Sequence, residues 1–355
     1  MQYNFILSFI FSLIVTIICT PLTIIFAKKF KLVDDPKTHK HPAIIHTKTI
    51  PRAGGLPIFL GILAASVLFL PMDRIFVSIL FAGLLVVIVG LLDDRYDLSP
   101  YLRFLTNIFA AAFVVFQGLT VPFITNPFGG ILHFDGLIAP ILNTTIVSIP
   151  AILAVVWIVW VMNMLNWSKG VDGQMPGIAA VAAIIIGIAS LRLNAVDPLN
   201  VHAAIMAFII AGASIGFLVF NFYPAKIFPG YSATILGFSI GILSILSSVK
   251  LATAILVLGV PTADAAFTVI RRILAKKSPF RHDRGHLHHH LLNIGWGQKR
   301  IAFFYWAVSI LLGLISLALS SKGKLFAIIL VLVVVSGVIL TFKFILKEET
   351  IIKSK

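Results

Sequence analysis

Long apolar runs broken by short polar stretches set the pattern of this chain from end to end. Crossing the hydrocarbon of a bilayer takes about 20 mostly apolar residues in a helix. Ten or eleven stretches approach that length, at approximately 4–27, 55–71, 75–92, 104–124, 146–165, 177–191, 202–220, 233–248, 251–270, 301–321 and 325–342. The pattern predicts an all-α, polytopic integral membrane protein with about 10–11 transmembrane helices. The first run is too long for a secretory h-region and meets its first cation, Lys28, only after the apolar residues, so it reads as a retained membrane helix. No fixed-period repeat and no low-complexity linker interrupts the series, which predicts a single transmembrane domain over 1–355.

Composition narrows the reading. Of the 355 residues 59% are hydrophobic and 12% charged, with a mean hydropathy of +1.05, whereas a soluble domain carries about 25% charged residues. Cys19, inside the first run, is the single cysteine, which excludes disulfides within the chain and cysteine-based metal sites. The 28 lysines and arginines divide unevenly between alternate loops, 23 on one side and 5 on the other. By the positive-inside rule this predicts an N-terminus outside and a C-terminus in the cytoplasm. A net charge of +15 then has its explanation in topology and in attraction to anionic headgroups, not in nucleic acid.

Every unusual polar cluster falls on the cation-rich side, and the helix centres hold no ionisable group, which argues against a transporter with a midplane site. Asp93 and Asp94 close an apolar helix at the end where the helix dipole disfavours carboxylates, with Asp97 one turn on. Three carboxylates in one turn need a cation among them. Oxygen ligands of this kind suit Mg²⁺ holding a phosphate substrate, and the alternative is a solvated juxtamembrane turn partnered by Arg95.

A second cluster, Pro279 to His290, places five of the ten histidines within nine residues, beside Arg271, Arg272, Lys276 and Lys277. It suits a diphosphate by charge and hydrogen bonding, with a transition metal or a plain positive-inside anchor as alternatives. Asn163 and Asn166, followed by Gly170-Val-Asp172-Gly173, present amide and carboxylate groups to a ligand or form a helix C-cap and turn. Pro51-Arg-Ala-Gly54-Gly55 reads as a tight turn. Asp264, close to the hydrocarbon, needs a partner, for which Arg271 or Arg272 is expected.

Taken in order, these clusters resemble the polyprenyl-phosphate N-acetylhexosamine-1-phosphate transferase family, the glycosyltransferase 4 group that includes phospho-N-acetylmuramoyl-pentapeptide transferase. The resemblance runs from Asp34-Asp35-Pro36 to His286-Leu-His-His-His290. It is most specific at Leu-Leu-Asp93-Asp94-Arg-Tyr-Asp97-Leu-Ser-Pro, Asn221-Phe-Tyr-Pro-Ala-Lys226-Ile-Phe and His282-Asp283-Arg284-Gly-His286-Leu-His288-His289. It implies a phosphotransferase that moves a sugar 1-phosphate from a UDP-N-acetylamino sugar to undecaprenyl phosphate, releases UMP and initiates a cell-envelope glycan at the inner face of a bacterial cytoplasmic membrane. Asp97 is typical of the branch that uses simple UDP-HexNAc donors. The resemblance also implies Asp93, Asp94, Asp97, His288 and His289 as catalytic residues, and Lys48, Asn163, Asn166, Lys169, Asn221, Lys226, Asp283, Arg284, His286 and His290 as substrate-binding residues. Mg²⁺, or Mn²⁺ in its place, is expected on Asp93, Asp94 and Asp172. The expected partners are undecaprenyl phosphate, the UDP-sugar and the bilayer, with a homodimer open.

Two positions depart from the family pattern. Lys169 and Tyr231 stand where the family carries aspartates. The expectation is weak Mg²⁺ binding until the diphosphate arrives, or a lysine that supplies part of the metal's charge. A catalytically lapsed binder of lipid phosphate or nucleotide sugar, and an unrelated transporter or metal-binding membrane protein, are the other readings.

Overall fold

The structure, a computed structural model, describes residues 4–35, 49–121, 123–126, 128–134, 138–141, 145–193, 198–247, 251–278 and 285–353. Lys48, Asp283 and Arg284 from the expected site, and His282 of the adjoining motif, lie outside the described residues. The helices in chain order are α1 (Asn4–Lys29), α2 (Gly55–Phe69), α3 (Arg74–Tyr96), α4 (Pro100–Phe116), α5 (Ile149–Trp167), α6 (Gln174–Leu193), α7 (Pro198–Asn221), α8 (Thr234–Leu246), α9 (Leu251–Val257), α10 (Gly259–Leu274), α11 (Leu287–Asn293), α12 (Gln298–Ala318) and α13 (Ser321–Lys353). Each predicted apolar run falls on one of these helices, or on the α9–α10 pair.

The helices of full spanning length are fewer than the ten or eleven runs expected. Among the described residues seven helices are long and apolar enough to cross a membrane, or eight if α9 and α10, bent by 86° at their junction, form one span. The runs at 55–71, 104–124 and 233–248 form helices of only 15, 17 and 13 residues. At 1.5 Å per residue these reach about 20–26 Å, short of a hydrocarbon core about 30 Å thick. The apolar pattern continues past the helix ends into caps and turns, so the runs are longer than the helices they contain. The chain is a multi-pass membrane protein.

Packing inverts the pattern of a soluble bundle. On α1 the buried stripe is Ser8, Ser12, Thr16, Thr20, Thr23 and Ala27, at helical spacing, while Ile6, Ile10, Ile14, Ile18, Leu22 and Ile25 face outward. Small polar residues let backbones approach where lipid competes for every large apolar side chain. Gly212 and Gly216 of α7 complete the contact, since an added Cβ at either would meet the α1 backbone at Phe9 or Leu13. Helices α6 and α7 form the centre of the bundle, 78% and 72% buried over their most apolar windows, against 22% for α1 and 11% for α13.

Among the described residues six short strands decorate the connections. β1 (Val33–Asp34) pairs antiparallel with β2 (Ile50–Pro51). The connection between α4 and α5 carries two antiparallel pairs, β3 (Phe123–Thr125) with β4 (Ile131–His133) and β5 (Ile138–Ile141) with β6 (Thr145–Ser148). Because the long helices run up and down, the C-terminal ends of α1, α3, α5 and α7 gather with the N-terminal ends of α2, α4, α6, α8 and α12. That end of the bundle holds the polar residues.

Candidate active site

The carboxylates at the end of α3 are buried, with Asp93 1% and Asp94 5% exposed, which rules out the solvated turn. Their partners come from other segments. Helix α3 stops at Asp97, whose left-handed backbone (φ 48°) is one that aspartate tolerates and whose N–H donates to the Asp93 carbonyl at 2.9 Å. Ser99 then caps α4 and Pro100 opens it, so Arg103 lies one turn in and reaches back over the junction. Arg103 Nε sits 2.7 Å from Asp93 Oδ1 and Nη2 2.7 Å from Asp97 Oδ1. Asp97 itself is in water, its side chain 80% exposed. The Leu98 amide also donates to Asp93 Oδ1, at 3.1 Å. Asp93 Oδ2 is buried with no hydrogen-bond partner. Arg95, the partner expected from sequence, donates instead to the Phe30 carbonyl at 2.6 Å and lies over the Tyr96 ring.

Asp94 is saturated. It accepts from the amides of Tyr231 at 2.6 Å and Ser232 at 3.3 Å, from Ser232 Oγ at 2.9 Å, and has Arg52 Nε 3.5 Å away. The dipole of its own helix disfavours this acid, and the amides just ahead of α8 compensate. The turn that delivers them needs Gly230, which has a left-handed backbone (φ +67°) and presses so closely on the Asp94 carboxylate that a Cβ has no room. Arg52 is held by its place beside β2, where its N–H donates to the Leu32 carbonyl at 2.8 Å and it bridges to Phe228. The expected tight turn at 51–55 is thus a clasp on the 228–233 segment. Gly55 N donates to Ser232 Oγ at 3.1 Å.

Lys169 enters from the turn after α5. Its Nζ donates to the Gly230 carbonyl at 2.9 Å and lies 5.8 Å from the centre of the Tyr231 ring, while the Arg103 guanidinium lies 5.4 Å from the same ring. Burial, and then the nearby Arg52, lower the Lys169 pKa from 10.5 to about 8, with Asp94 and Asp93 pulling the other way. Burial raises the Tyr231 phenol to about 12, so it stays neutral, and its oxygen accepts from Asn107 Nδ2 at 3.1 Å.

The remaining polar residues on the α5–α6 and α7–α8 connections tie loops together. Asn221 Oδ1 accepts from Gly173 N at 3.1 Å and its Nδ2 donates to the Ile227 carbonyl at 2.9 Å. Asp172 Oδ2 accepts from Ala225 N at 3.0 Å, and its own amide donates to Gln298 Oε1 at 3.1 Å. Asn163 Nδ2 donates within its helix to the Val159 carbonyl at 2.8 Å, whereas Asn166 Oδ1 is buried without a partner. Lys226 is exposed.

The histidines form a second pocket beside the first. Asp264 holds it: Oδ2 lies 3.0 Å from His286 Nδ1 and Oδ1 accepts the Leu287 amide at 3.1 Å, so the partner anticipated as an arginine is a histidine and a backbone N–H. His286, His288, His289 and His290 are all buried. Burial, reinforced by the imidazole of His289, holds His288 well below the usual histidine range. Burial likewise lowers His290, against the pull of Asp264. Neutral imidazoles offer hydrogen bonds and no charge, which corrects the expectation of charge neutralisation at these two. The Nδ1 atoms of His288 and His290 have no partner. The His288 ring lies directly against Gly170, where a Cβ would not fit, so the two pockets share a wall beside Lys169.

The profile of glycosyl transferase family 4 matches residues 76–248. A probable undecaprenyl-phosphate N-acetylglucosaminyl 1-phosphate transferase of Bacillus subtilis strain 168 is 30% identical over 89% of this chain and 85% of its own length. The chain belongs to glycosyl transferase family 4. A decaprenyl-phosphate N-acetylglucosaminephosphotransferase of Mycolicibacterium smegmatis is 30% identical over 92% of this chain and 85% of its own length. The match to a phospho-N-acetylmuramoyl-pentapeptide-transferase of Moorella thermoacetica, at 32%, spans 43% of this chain and 46% of that protein.

The resemblance implies a divalent cation, and the residues present fit one poorly. Both Asp94 oxygens are committed to donors and one Asp93 oxygen to Arg103. Among the described residues no three His, Cys, Asp or Glu side chains are grouped so as to hold a metal ion. Sequence reading missed Arg52, Arg103, Asn107, Ser232 and Gln298 as parts of this site. Arg103 had been counted only as a topology charge, although its place one turn after a Ser-Pro cap carried a signal.

Proposed function

We propose that this member of glycosyl transferase family 4 transfers N-acetylglucosamine 1-phosphate from UDP-N-acetylglucosamine to undecaprenyl phosphate, releasing UMP, at the cytoplasmic face of a bacterial membrane. One observation carries the reading: two buried carboxylates ringed by Arg52, Arg103 and Lys169 lie at the bundle end where the cation-rich loops gather. The relatives that cover most of the chain bear N-acetylglucosamine-phosphotransferase names, whereas the pentapeptide-transferase match covers less than half. These support the sugar. The 23 to 5 division of cations supports the orientation.

In the reaction an oxygen of the lipid phosphate attacks the sugar-bearing phosphorus of the donor, a new P–O–P link forms, and the bond to UMP breaks with its electron pair going to the UMP phosphate. Phosphoryl transfer asks a protein mainly for positioning and charge stabilisation. Asp93 Oδ2, buried and without a donor, accepts the proton of the lipid phosphate or orients its attacking oxygen. Arg103 holds Asp93 in place. Asp94 is a positioning residue that fixes the Gly230–Ser232 turn and with it the acceptor of the Lys169 ammonium. The free Nδ1 atoms of His288 and His290 serve donor oxygens as neutral hydrogen-bonding groups. Asn166 Oδ1, likewise unpartnered, suits a hydroxyl or amide of the sugar.

The test is UMP release by purified protein with undecaprenyl phosphate and a panel of UDP-sugars. Release with UDP-N-acetylglucosamine is expected; release with none of the panel overturns the reading and leaves a non-catalytic binder. Membrane-impermeant labelling of cysteines placed in the 275–278 stretch should require permeabilised cells, and labelling of intact cells would reverse the orientation.

A further inference from the structure

We propose that the countercharge for the donor diphosphate comes from fixed side chains, Arg52, Arg103 and Lys169, and that this chain therefore binds a diphosphate without a divalent cation. The inference rests on the function proposed above and concerns the same pocket.

Three features lead to it. Each carboxylate oxygen has room for about two donors. Asp94 has four donor groups on its two oxygens, from Arg52, Tyr231 and twice from Ser232, so a metal would have to displace donors that hold the α8 turn. Asp93 offers Oδ2 alone. Second, the Lys169 ammonium and the Arg103 guanidinium both lie over the Tyr231 ring, 5.8 and 5.4 Å from its centre, and the ring hydroxyl already accepts from Asn107. An aromatic ring attracts a cation at such distances, and here one ring draws two of them into the same pocket. A divalent ion entering beside them would meet repulsion from both. Third, three cations face the two buried carboxylates Asp93 and Asp94, while Asp97, the further acid on Arg103, is exposed to water. An excess positive charge in a buried pocket is costly unless an anion completes it. A diphosphate supplies that anion, and Lys169 and the guanidiniums match its oxygens as charge-assisted donors.

The experiment is calorimetric titration of inorganic pyrophosphate into the full-length protein in lipid nanodiscs, once with EDTA and once with Mg²⁺, alongside UMP release under the same two conditions. The expected result is binding in EDTA at least as tight as in Mg²⁺. Lys169→Ala should weaken it about tenfold or more, Lys169→Arg should retain it, and the double replacement Lys169→Asp with Tyr231→Asp should make binding depend on Mg²⁺. Binding that vanishes in wild-type protein with EDTA and returns with Mg²⁺ overturns the inference, as does no pyrophosphate binding in either condition. These wild-type measurements decide the matter even if a variant fails to fold. Metal-free pyrophosphate binding with no UMP release would sink the transferase reading and leave the cation pocket standing; UMP release that occurs only with Mg²⁺ would do the reverse.

Discussion

Around Asp93 and Asp94 the protein buries charge against charge, with guanidiniums and an ammonium reaching in from three separate segments. Around Asp264 it buries four histidines with one carboxylate, and keeps at least His288 and His290 neutral. The first pocket can attract and hold an anion. In the second, neutral imidazoles contribute hydrogen bonds, and the positive charge comes from Arg271 beside Gly285 and the buried Arg272 over Trp167. Both abut the turn that follows α5, through Lys169 on one side and Gly170 on the other. The difference teaches that a run of histidines beside phosphate chemistry need not be a reservoir of positive charge; where imidazoles are stacked and dry, the charge has to be found elsewhere.

The largest effect is expected at Asp94. Asp94→Asn removes one partner of a buried ion pair and turns one of its two accepting oxygens into an NH2 donor facing N–H or O–H donors, so a loss of about 3–5 kcal/mol of stability is expected and would show in denaturation of the detergent-solubilised protein. A variant as stable as wild type would mean that the α8 turn does not depend on this acid.

Two pH profiles separate the pockets. Lys169, with its pKa lowered to about 8, is charged below that value and loses its charge above it. The groups facing it are Arg52, Arg103, Asp93 and Asp94, with the Tyr231 ring alongside. UMP release should therefore fall as pH rises through about 8, approaching tenfold per unit, and Lys169→Arg should move that limb upward. For the histidines the sign is reversed and the readout is stability. The folded state keeps His288 neutral while the unfolded chain takes up a proton near the ordinary value of 6.5, so stability is present above that pH and lost as pH falls below it, by about 1.4 kcal/mol per unit for each such histidine. Thermal melts between pH 7 and pH 5 check this, with a flatter profile expected for His288→Gln.

The smallest effect is expected outside both pockets. Arg95→Ala gives up a bond to the Phe30 carbonyl and a contact with an exposed tyrosine, so the change in stability should stay within about 1 kcal/mol and the rate of UMP release should be unchanged. A large loss of activity would return Arg95 to the charged pocket.

Much of this was legible in the sequence, and the gaps have physical causes. Asp93 and Asp94 stood out because a helix end that repels carboxylates carried two of them. The bundle was legible because its apolar runs are long. The lengths of α2, α4 and α8 were overestimated because hydropathy does not mark where a helix ends. The partners of the acids were hidden, since Arg52 and Arg103 reach Asp94 and Asp93 through a clasp and a capped turn whose geometry no local pattern displays. Asp264 was correctly seen to need a partner, but His286, 22 residues away, became its neighbour only through the fold. The burial that neutralises His288 is likewise a property of packing and not of spacing.

Among the described residues of the charged pocket, Asp93 Oδ2 is the buried carboxylate oxygen left without a donor, and the reaction is assigned to it. The most direct measurement is the initial rate of UMP release from UDP-N-acetylglucosamine and undecaprenyl phosphate by wild-type protein and by Asp93→Asn, with melting temperatures recorded to exclude unfolding. The prediction is turnover in the wild type and a loss of about a hundredfold to ten-thousandfold in the folded variant, whereas equal rates would contradict the assignment of the reaction to this pocket.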